Sequence, residues 1–340
     1  MIQKAKDEPA LSIIIPVYNM ARYVARCLRS ILEQDFINYE LIIIDDGSTD
    51  DSANVIRQFS DSRINLISTA NHGVSYARNR GMYEAKGQYL LFIDADDYIS
   101  PGYFHHIMEE AETHEADLYV WGLTKDSADG SQQRIIPQTR GLLQRDEFLH
   151  EMVQEQYARH QGIMGYIANK LVRREWVIHH NLHFSPGLVL LEDYDFFLSY
   201  YNHVQTAYFF DESGYHYVAH PSTPETKRPA VDYISLIDTH RRCMHLTKDN
   251  SHSDEDYRLM LQAIGKLSIA MFLELRPVTL SQVRQLMNEM RPRSWCDAGL
   301  RFIHPKQRRL QQLLLRKRVI STYLYLKFRL LYFSLRRSKP

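Results

Sequence analysis

Residues 11–17 read LSIIIPV, an unbroken apolar run rich in β-branched side chains. Such a run predicts a strand buried on both faces, because a half-exposed strand alternates apolar with polar positions. Over 21–34 the period changes, with Val24, Leu28, Ile31 and Leu32 at helical spacing. A second apolar run, 40–44 (ELIII), predicts the next buried strand. Ser48 or Asp50 is then placed to cap a helix over about 51–59. The alternation continues with a strand at 64–68, a helix over about 74–86 and a strand at 88–93. A helix from near Pro101 to about His114 and a strand at 118–123 complete it. Strand and helix in turn, with short connections, mark an α/β sheet that is mostly parallel and covered on both faces.

After residue 123 the rhythm breaks. Residues 124–133 (TKDSADGSQQ) read as a surface loop, 144–158 and 189–202 as helical, and the aromatic stretch 207–218 as strands. Three prolines in 221–230 mark a loop or linker, and 231–290 is largely helical in pattern. The expected organisation is a domain over 1–224, with halves at about 10–123 and 124–224, followed by a helical C-terminal region over 225–340. There is no internal repeat.

Charge changes this picture at one end. Lys+Arg and Asp+Glu balance at 41 each, but 12 of the basic residues and none of the acidic ones fall in 298–340. The preceding 297 residues therefore carry a formal charge of −12. An acidic body with a basic tail points to a tail that meets something anionic. The isolated cysteines, Cys27, Cys243 and Cys296, show no CxxC or zinc spacing and fit a reducing compartment. The first residues, MIQKAKDEPA, contain no apolar signal-peptide core, and no uncharged apolar run reaches the length of a spanning helix. The expected setting is cytoplasmic, at most peripheral to a membrane.

Ligands of open α/β sheets bind beyond the carboxyl ends of the strands. Polar clusters fall there four times: Pro16–Asn19, Asp45–Ser48, Asn71–Gly73 and Asp94–Asp97. There is no GxGxxG after the first strand, no GxxxxGK[ST] and no GxSxG, which argues against dinucleotide, P-loop and nucleophile-elbow chemistry. DADDYISPG begins like a calcium loop, but His105 stands where an EF-hand needs Glu. Three carboxylates crowded after a buried strand suit a hard divalent cation, Mg²⁺ or Mn²⁺, whose shell substrate phosphates complete. The plainer alternative is a solvated turn capping a helix.

Four segments carry a resemblance. They are Ser12–Asn19 (SIIIPVYN), Ile44–Asp50 (IDDGSTD), Asn71–Gly81 (NHGVSYARNRG) and Asp94–Asp97 (DADD). In order and spacing the chain resembles family 2 glycosyltransferases of the GT-A fold, strongly over about 10–123 and more patchily to about 224. The resemblance implies a nucleoside pocket lined by Pro16, Tyr18 and Asp46, completed by Asn71 and Arg78. It implies Asp94 at the ribose and Asp96 on the metal, with Asp97 as second metal candidate. Each has a plainer alternative: a core Tyr18, a surface Arg78, a turn-forming Asp46, and a Gly81 that only permits close helix packing.

In the second half, GYIANKLVR (165–173) resembles the family's acceptor-side segment. The Glu192-Asp193 pair falls where relatives carry the catalytic base, with Asp193 as base and Glu192 as neighbour or acceptor contact. His220 and Ser222 fall in a segment resembling one that closes on the diphosphate, and His220 suits metal or phosphate. The doublets His105-His106 and His179-His180 read as surface residues.

The implied function is inverting, metal-dependent transfer of a sugar from a nucleotide donor, a UDP-sugar above others. The acceptor would be a saccharide or lipid-linked glycan in cell-surface polysaccharide synthesis. A catalytically silent nucleotide-sugar-binding or scaffold module is the alternative from another class. In 300–340, leucines and clusters Arg308-Arg309, Arg316-Lys317-Arg318 and Arg336-Arg337 spread over most helical angles. An anionic membrane surface is the expected partner, each Lys or Arg near it contributing about 1 kcal/mol. A docked helix or oligomer contact is the alternative, and no nucleic acid is expected.

Overall fold

The structure, a computed structural model, describes residues 8–220 except 160 and 189, then 233–248, 254–273, 279–290, 296, 298, 300–301 and 307–337. The chain divides into two compact units, Met1–Pro229 and Ala230–Pro340.

In the first unit the apolar runs become the centre of an eight-stranded sheet. Its order is β3 (Ile64–Thr69), β2 (Tyr39–Asp46), β1 (Leu11–Val17), β4 (Tyr89–Phe92), β10 (Lys170–Arg173), β6 (Leu118–Val120), β11 (Thr206–Phe209) and β9 (Gly141–Gln144). β3, β2, β1 and β4 run parallel, whereas β10 lies antiparallel between β4 and β6, and β9 antiparallel to β11. β1 is covered on both faces: Leu11, Ile13, Ile14, Ile15 and Val17 have no exposed surface. Burial of that kind is worth roughly 1.5–3 kcal/mol per large side chain, so this strand anchors the sheet.

Helices α1 (Val24–Leu32), α2 (Ser52–Arg57), α3 (Val74–Glu84) and α4 (Tyr103–Thr113) follow the first four long strands in turn. The cap position of α2 is Asp51, whose side chain makes no capping bond, rather than Ser48 or Asp50; Asp50, one residue earlier, accepts the Ser52 amide at 3.0 Å. α3 packs so closely on the sheet that a Cβ on Gly81 would lie 2.4 Å from Ile14 Cγ2. Close helix–strand packing is thus one function of that glycine.

The second half departs from the expected pattern in three places. The strand expected at 118–123 is two: β6 ends at Val120, and β7 (Leu123–Asp126) belongs to a second sheet of β5 (Tyr98–Ile99), β12 (Tyr215–Val218), β7 and β8 (Gln132–Ile135), in that order. The switch falls at Gly122, where a Cβ would lie 2.2 Å from the Ile135 carbonyl. Residues 124–133, expected as a loop, form most of a hairpin: β7 pairs antiparallel with β8 (Gln132–Ile135). Its polar strands, of which β8 lies at the sheet edge, lack the apolar alternation that marks a half-buried strand. Short β9, β10 and α6 (Arg174–His179) also went unpredicted. Helix α5 (Arg145–Val153) continues as a π-helical turn over 154–158, and α7 spans Glu192–Tyr201.

In the second unit α8 (Tyr233–Lys248) packs on α9 (Asp254–Leu273), while α10 (Leu280–Met290) and α11 (Arg308–Leu315) pack on α12 (Val319–Arg337). Among the described residues no helix is long and apolar enough to cross a membrane.

Candidate functional site

The loops after β1, β2 and β3 are tied to one another before any ligand arrives. Asn19, at φ 54°, accepts the Thr49 amide at 2.8 Å on its Oδ1. Its own amide donates to Ser48 Oγ at 3.0 Å. Gly47 sits at φ +74°, and a Cβ there would lie 2.6 Å from the Asn71 nitrogen, so only glycine lets the third loop approach. Asp46 then grips that loop: its carboxylate accepts the amides of His72 at 2.9 Å and Gly73 at 2.7 Å.

These loops enclose a cavity of about 480 Å³, lined by Pro16, Tyr18, Asp46, Asn71, Asp94 and Asp96 among others. Six expected site residues from four loops thus meet around one space. Tyr18 is 45% exposed, so it is not a core residue. A half-exposed aromatic ring beside polar groups can stack on a flat base.

Arg78 is not a surface cation; it is 3% exposed. From α3 its guanidinium donates to Asp94 Oδ1 at 3.1 Å, Asp193 Oδ1 at 2.6 Å and Glu192 Oε1 at 3.2 Å. One cation therefore joins the carboxylate after β4 to the pair that opens α7, of which Asp193 lies 115 residues beyond Arg78 itself. The pair sits in the first turn of α7 because Leu191 adopts φ 61° and turns the chain into the helix. A non-glycine residue there costs about 1–2 kcal/mol, which the ion pairs and the Asp195 amide bond to the Leu191 carbonyl help to hold.

Three carboxylates share that one guanidinium, and their charges are not fully balanced. Burial pushes the Asp193 carboxyl up to about 7, Arg78 opposes the rise, and Glu192 and Asp94 add to it. A second cation stands in the same region. Lys170 is fully buried, and its ammonium donates to the carbonyls of Ile163 and Tyr166, both at 2.6 Å, and to Asn169 Oδ1 at 2.8 Å. Burial pulls its pKa well down and the Asp193 charge raises it. Three acceptors need three protons, so the geometry is that of the charged form. The segment resembling the acceptor side is thereby fastened from within. Asn169 adds a bond from Nδ2 to the Trp121 carbonyl at 2.7 Å.

Asp96 and Asp97 part company. Asp97 is 2% exposed; it accepts the Tyr215 hydroxyl and, at 2.8 Å, the Val218 amide. Burial, then Asp94 and Asp96, push its carboxyl up to about 8. It fastens β12 to the carboxylate loop, and its donors leave it poorly placed as a cation ligand. Asp96 lines the cavity, and its Oδ2 lies 3.1 Å from His220 Nε2. The His220 ring lies against Tyr23 at 4.3 Å between centroids. Ser222 lies outside the described residues.

A divalent cation fits this donor set. Asp96 is a hard oxygen ligand whose charge is disfavoured by burial and by Asp94, and a cation would relieve both. Among the described residues no group of three or more His, Cys, Asp or Glu is arranged to hold a metal. Asp96 and His220 would therefore supply two ligands and leave positions for phosphate and water, as Mg²⁺ sites commonly do.

Two contributors had little signal in the sequence. Arg26 donates to the Asp96 carbonyl at 2.8 Å and lies over the Tyr98 ring. Tyr215 both donates to Asp97 and accepts the Asp94 amide at 3.3 Å. Only the aromatic density of 207–218 hinted at the second.

The comparisons bear on this arrangement. A model described as "Glycosyl transferase family 2" matches residues 12–180, which include β1 to β4 and all the loops around the cavity. The chain belongs to this family. It is 33% identical over 230 residues to the uncharacterized glycosyltransferase EpsJ of Bacillus subtilis, the match covering 66% of this chain and 66% of EpsJ. The likeness thus spans about two thirds of that relative's length. The fold resembles S. aureus TarS 1–349 in complex with UDP-GlcNAc, at TM-score 0.65, 18% identity, and coverage of 92% of this chain and 89% of that one. It also resembles the mannosyltransferase PcManGT from Pyrobaculum calidifontis in complex with GDP-Man and Mn²⁺, at TM-score 0.50, 14% identity, and coverage of 94% and 86%. The fold is that of the GT-A glycosyltransferases, with a helical region following it.

Proposed function

We propose that this family 2 member transfers a sugar, with inversion and with a divalent cation, from a nucleotide donor to a hydroxyl of a saccharide or lipid-linked acceptor. The observation that carries this reading is Arg78, one buried cation joining Asp94 on the cavity to Asp193 and Glu192. It puts a candidate donor site and a candidate base within one guanidinium of each other.

The residues divide the work as follows. Tyr18 stacks on the base, and Asp46 and Asn71 hold the nucleoside. Asp94 takes the ribose, and Asp96 with His220 would hold the cation at the diphosphate end of the donor. When bound, Mg²⁺ or Mn²⁺ supplies stabilisation of the charge that grows on the departing diphosphate. Asp193 accepts the proton of the acceptor hydroxyl as that oxygen bonds to the anomeric carbon from the face opposite the leaving group. Side-chain exposure of 21% leaves it reachable by an acceptor. A UDP-sugar is the favoured donor; a relative in fold binds UDP-GlcNAc, though another binds GDP-Man.

Two measurements check this. Asp96→Ala should remove the metal dependence of nucleotide binding, so titration heats with UDP and Mn²⁺ should fall to those with UDP alone. Unchanged heats would remove Asp96 from the cation. The base must be ionised to accept a proton, so kcat/KM should fall as pH drops through about 7, where the raised Asp193 carboxyl takes up its proton. A flat profile from about pH 5.5 to 7.5 would contradict the assignment.

The basic C-terminal segment is proposed to hold the enzyme at the cytoplasmic face of an anionic membrane, where lipid-linked acceptors reside. Its support is the 12 Lys/Arg with no Asp or Glu over 298–340. The alternative of a silent nucleotide-sugar-binding module would show donor binding without donor hydrolysis.

A further inference from the structure

Helix α12 carries a feature that charge alone does not explain. Ile320 is 64% exposed, Leu324 50% and Phe328 73%. Spaced four apart, they fall within about 80° of arc and span about 12 Å along the axis. The opposite side of the same helix is packed: Thr322 and Leu326 are buried. Elsewhere among the described residues no three large exposed apolar side chains follow one another at four-residue spacing along one helix. Lone exposed apolar residues are ordinary, whereas a contiguous apolar stripe is a contact surface.

The stripe's surroundings indicate what it contacts. Arg316, Lys317 and Arg318 are exposed immediately before the helix, and Lys327 is exposed at the edge of the stripe, about 20° outside its arc. Tyr323, half-buried, flanks it with its ring 5.5 Å from the Lys327 ammonium. The covering partner must therefore offer apolar matter at its centre and negative charge around it. A second copy of this segment offers the first but repeats the positive charge. A bilayer with anionic headgroups offers both.

We propose that Ile320, Leu324 and Phe328 form an insertion face that enters the acyl boundary of an anionic membrane, with Arg316, Lys317, Arg318 and Lys327 at the phosphates. This deepens the membrane reading given above, which rests on charge alone, by adding an apolar contact. The two parts separate by salt. Attraction between exposed charges is screened over about 8 Å at 0.15 M, whereas burial of the stripe is not weakened by salt.

The test uses the full chain and vesicles of phosphatidylcholine with 30% phosphatidylglycerol, floated at low and at moderate salt. Wild type should float at both. The variant carrying Ile320→Ser, Leu324→Ser and Phe328→Ser should float at low salt but bind at least tenfold more weakly at moderate salt. Wild-type flotation by that triple variant at both salts would overturn the insertion face and leave the charge-based reading standing. No flotation by wild type at low salt would overturn both. Phe328→Trp, at a position too exposed to disturb folding, gives a second readout. Its indole emission should shift to the blue and be quenched by brominated lipid. An unshifted emission on floated protein, or a lipid-free dimer that the triple Ser variant dissociates, would replace insertion by another contact.

Discussion

Asp193→Asn should lower kcat by about a thousandfold, within the range general bases contribute, while leaving the donor Kd within about twofold. The amide keeps the shape and can still accept from Arg78, at 2.6 Å in the wild type, but it cannot take a proton. The donor site proposed above includes Tyr18, Asp46, Asn71 and Asp96, which line the cavity and none of which Asp193 touches through a hydrogen bond in the structure. Glu192→Gln is the control: it shares Arg78 but lies further, at 3.2 Å, and should cost less than tenfold if its task is contact with the acceptor. Near-normal turnover in Asp193→Asn with a large loss in Glu192→Gln would exchange the two roles.

Arg78→Met should be the most damaging single change for stability among the site residues. It removes the one guanidinium shared by Asp94, Asp193 and Glu192. Breaking a buried ion pair from one side costs about 3–5 kcal/mol. The three carboxylates keep 17–32% of their side-chain surface exposed, so water recovers part of that loss and the lower end, about 3 kcal/mol, is expected. For a unit of this size that is a fall in Tm of about 6–12 °C. The sign with pH is fixed. Arg78 favours the ionised form of Asp193, so its loss should be largest above about pH 7, where that carboxyl is charged. The deficit should shrink as pH falls through about 7 and Asp193 takes up its proton. A deficit independent of pH would mean that packing, not charge, is what Arg78 contributes.

How much of this was legible in the sequence depends on whether a residue acts through local pattern. β1 and β2 announced themselves because both faces are buried, leaving no polar position within LSIIIPV beyond Ser12. Even Ser12 is buried, its hydroxyl donating to Glu40 at 2.6 Å. The polar clusters beyond the strands were visible because a parallel sheet brings every strand's carboxyl end to one edge. β10 was not visible: four residues, KLVR, including a lysine that is fully buried yet reads as a surface residue by type. The β7–β8 hairpin was missed for the opposite reason, since its strands are polar enough to look like a loop.

The same division holds at the site. Asp94, Asp96 and Asp97 stand together in the sequence, and nothing local separates the two that line the cavity from the one that fastens Tyr215 and Val218. That difference is made by β12, some 120 residues away. Arg78 is similar. Its motif marked it as part of a nucleotide side, but its three partners lie on elements that only tertiary folding brings together. Sequence pattern named the participants of the cavity; their pairwise arrangement needed the fold.

The reaction proposed above requires the cavity to bind a nucleotide sugar and to break its glycosyl bond with a divalent cation. The most direct test is release of nucleoside diphosphate from a panel of UDP-, GDP- and dTDP-sugars, with Mn²⁺ and with EDTA, in wild type beside Asp96→Ala. The expected result is slow hydrolysis of at least one donor, a UDP-sugar first among them, that needs Mn²⁺ and vanishes in the variant. Binding of a donor with no hydrolysis under any condition, or hydrolysis indifferent to EDTA and to Asp96, would contradict it.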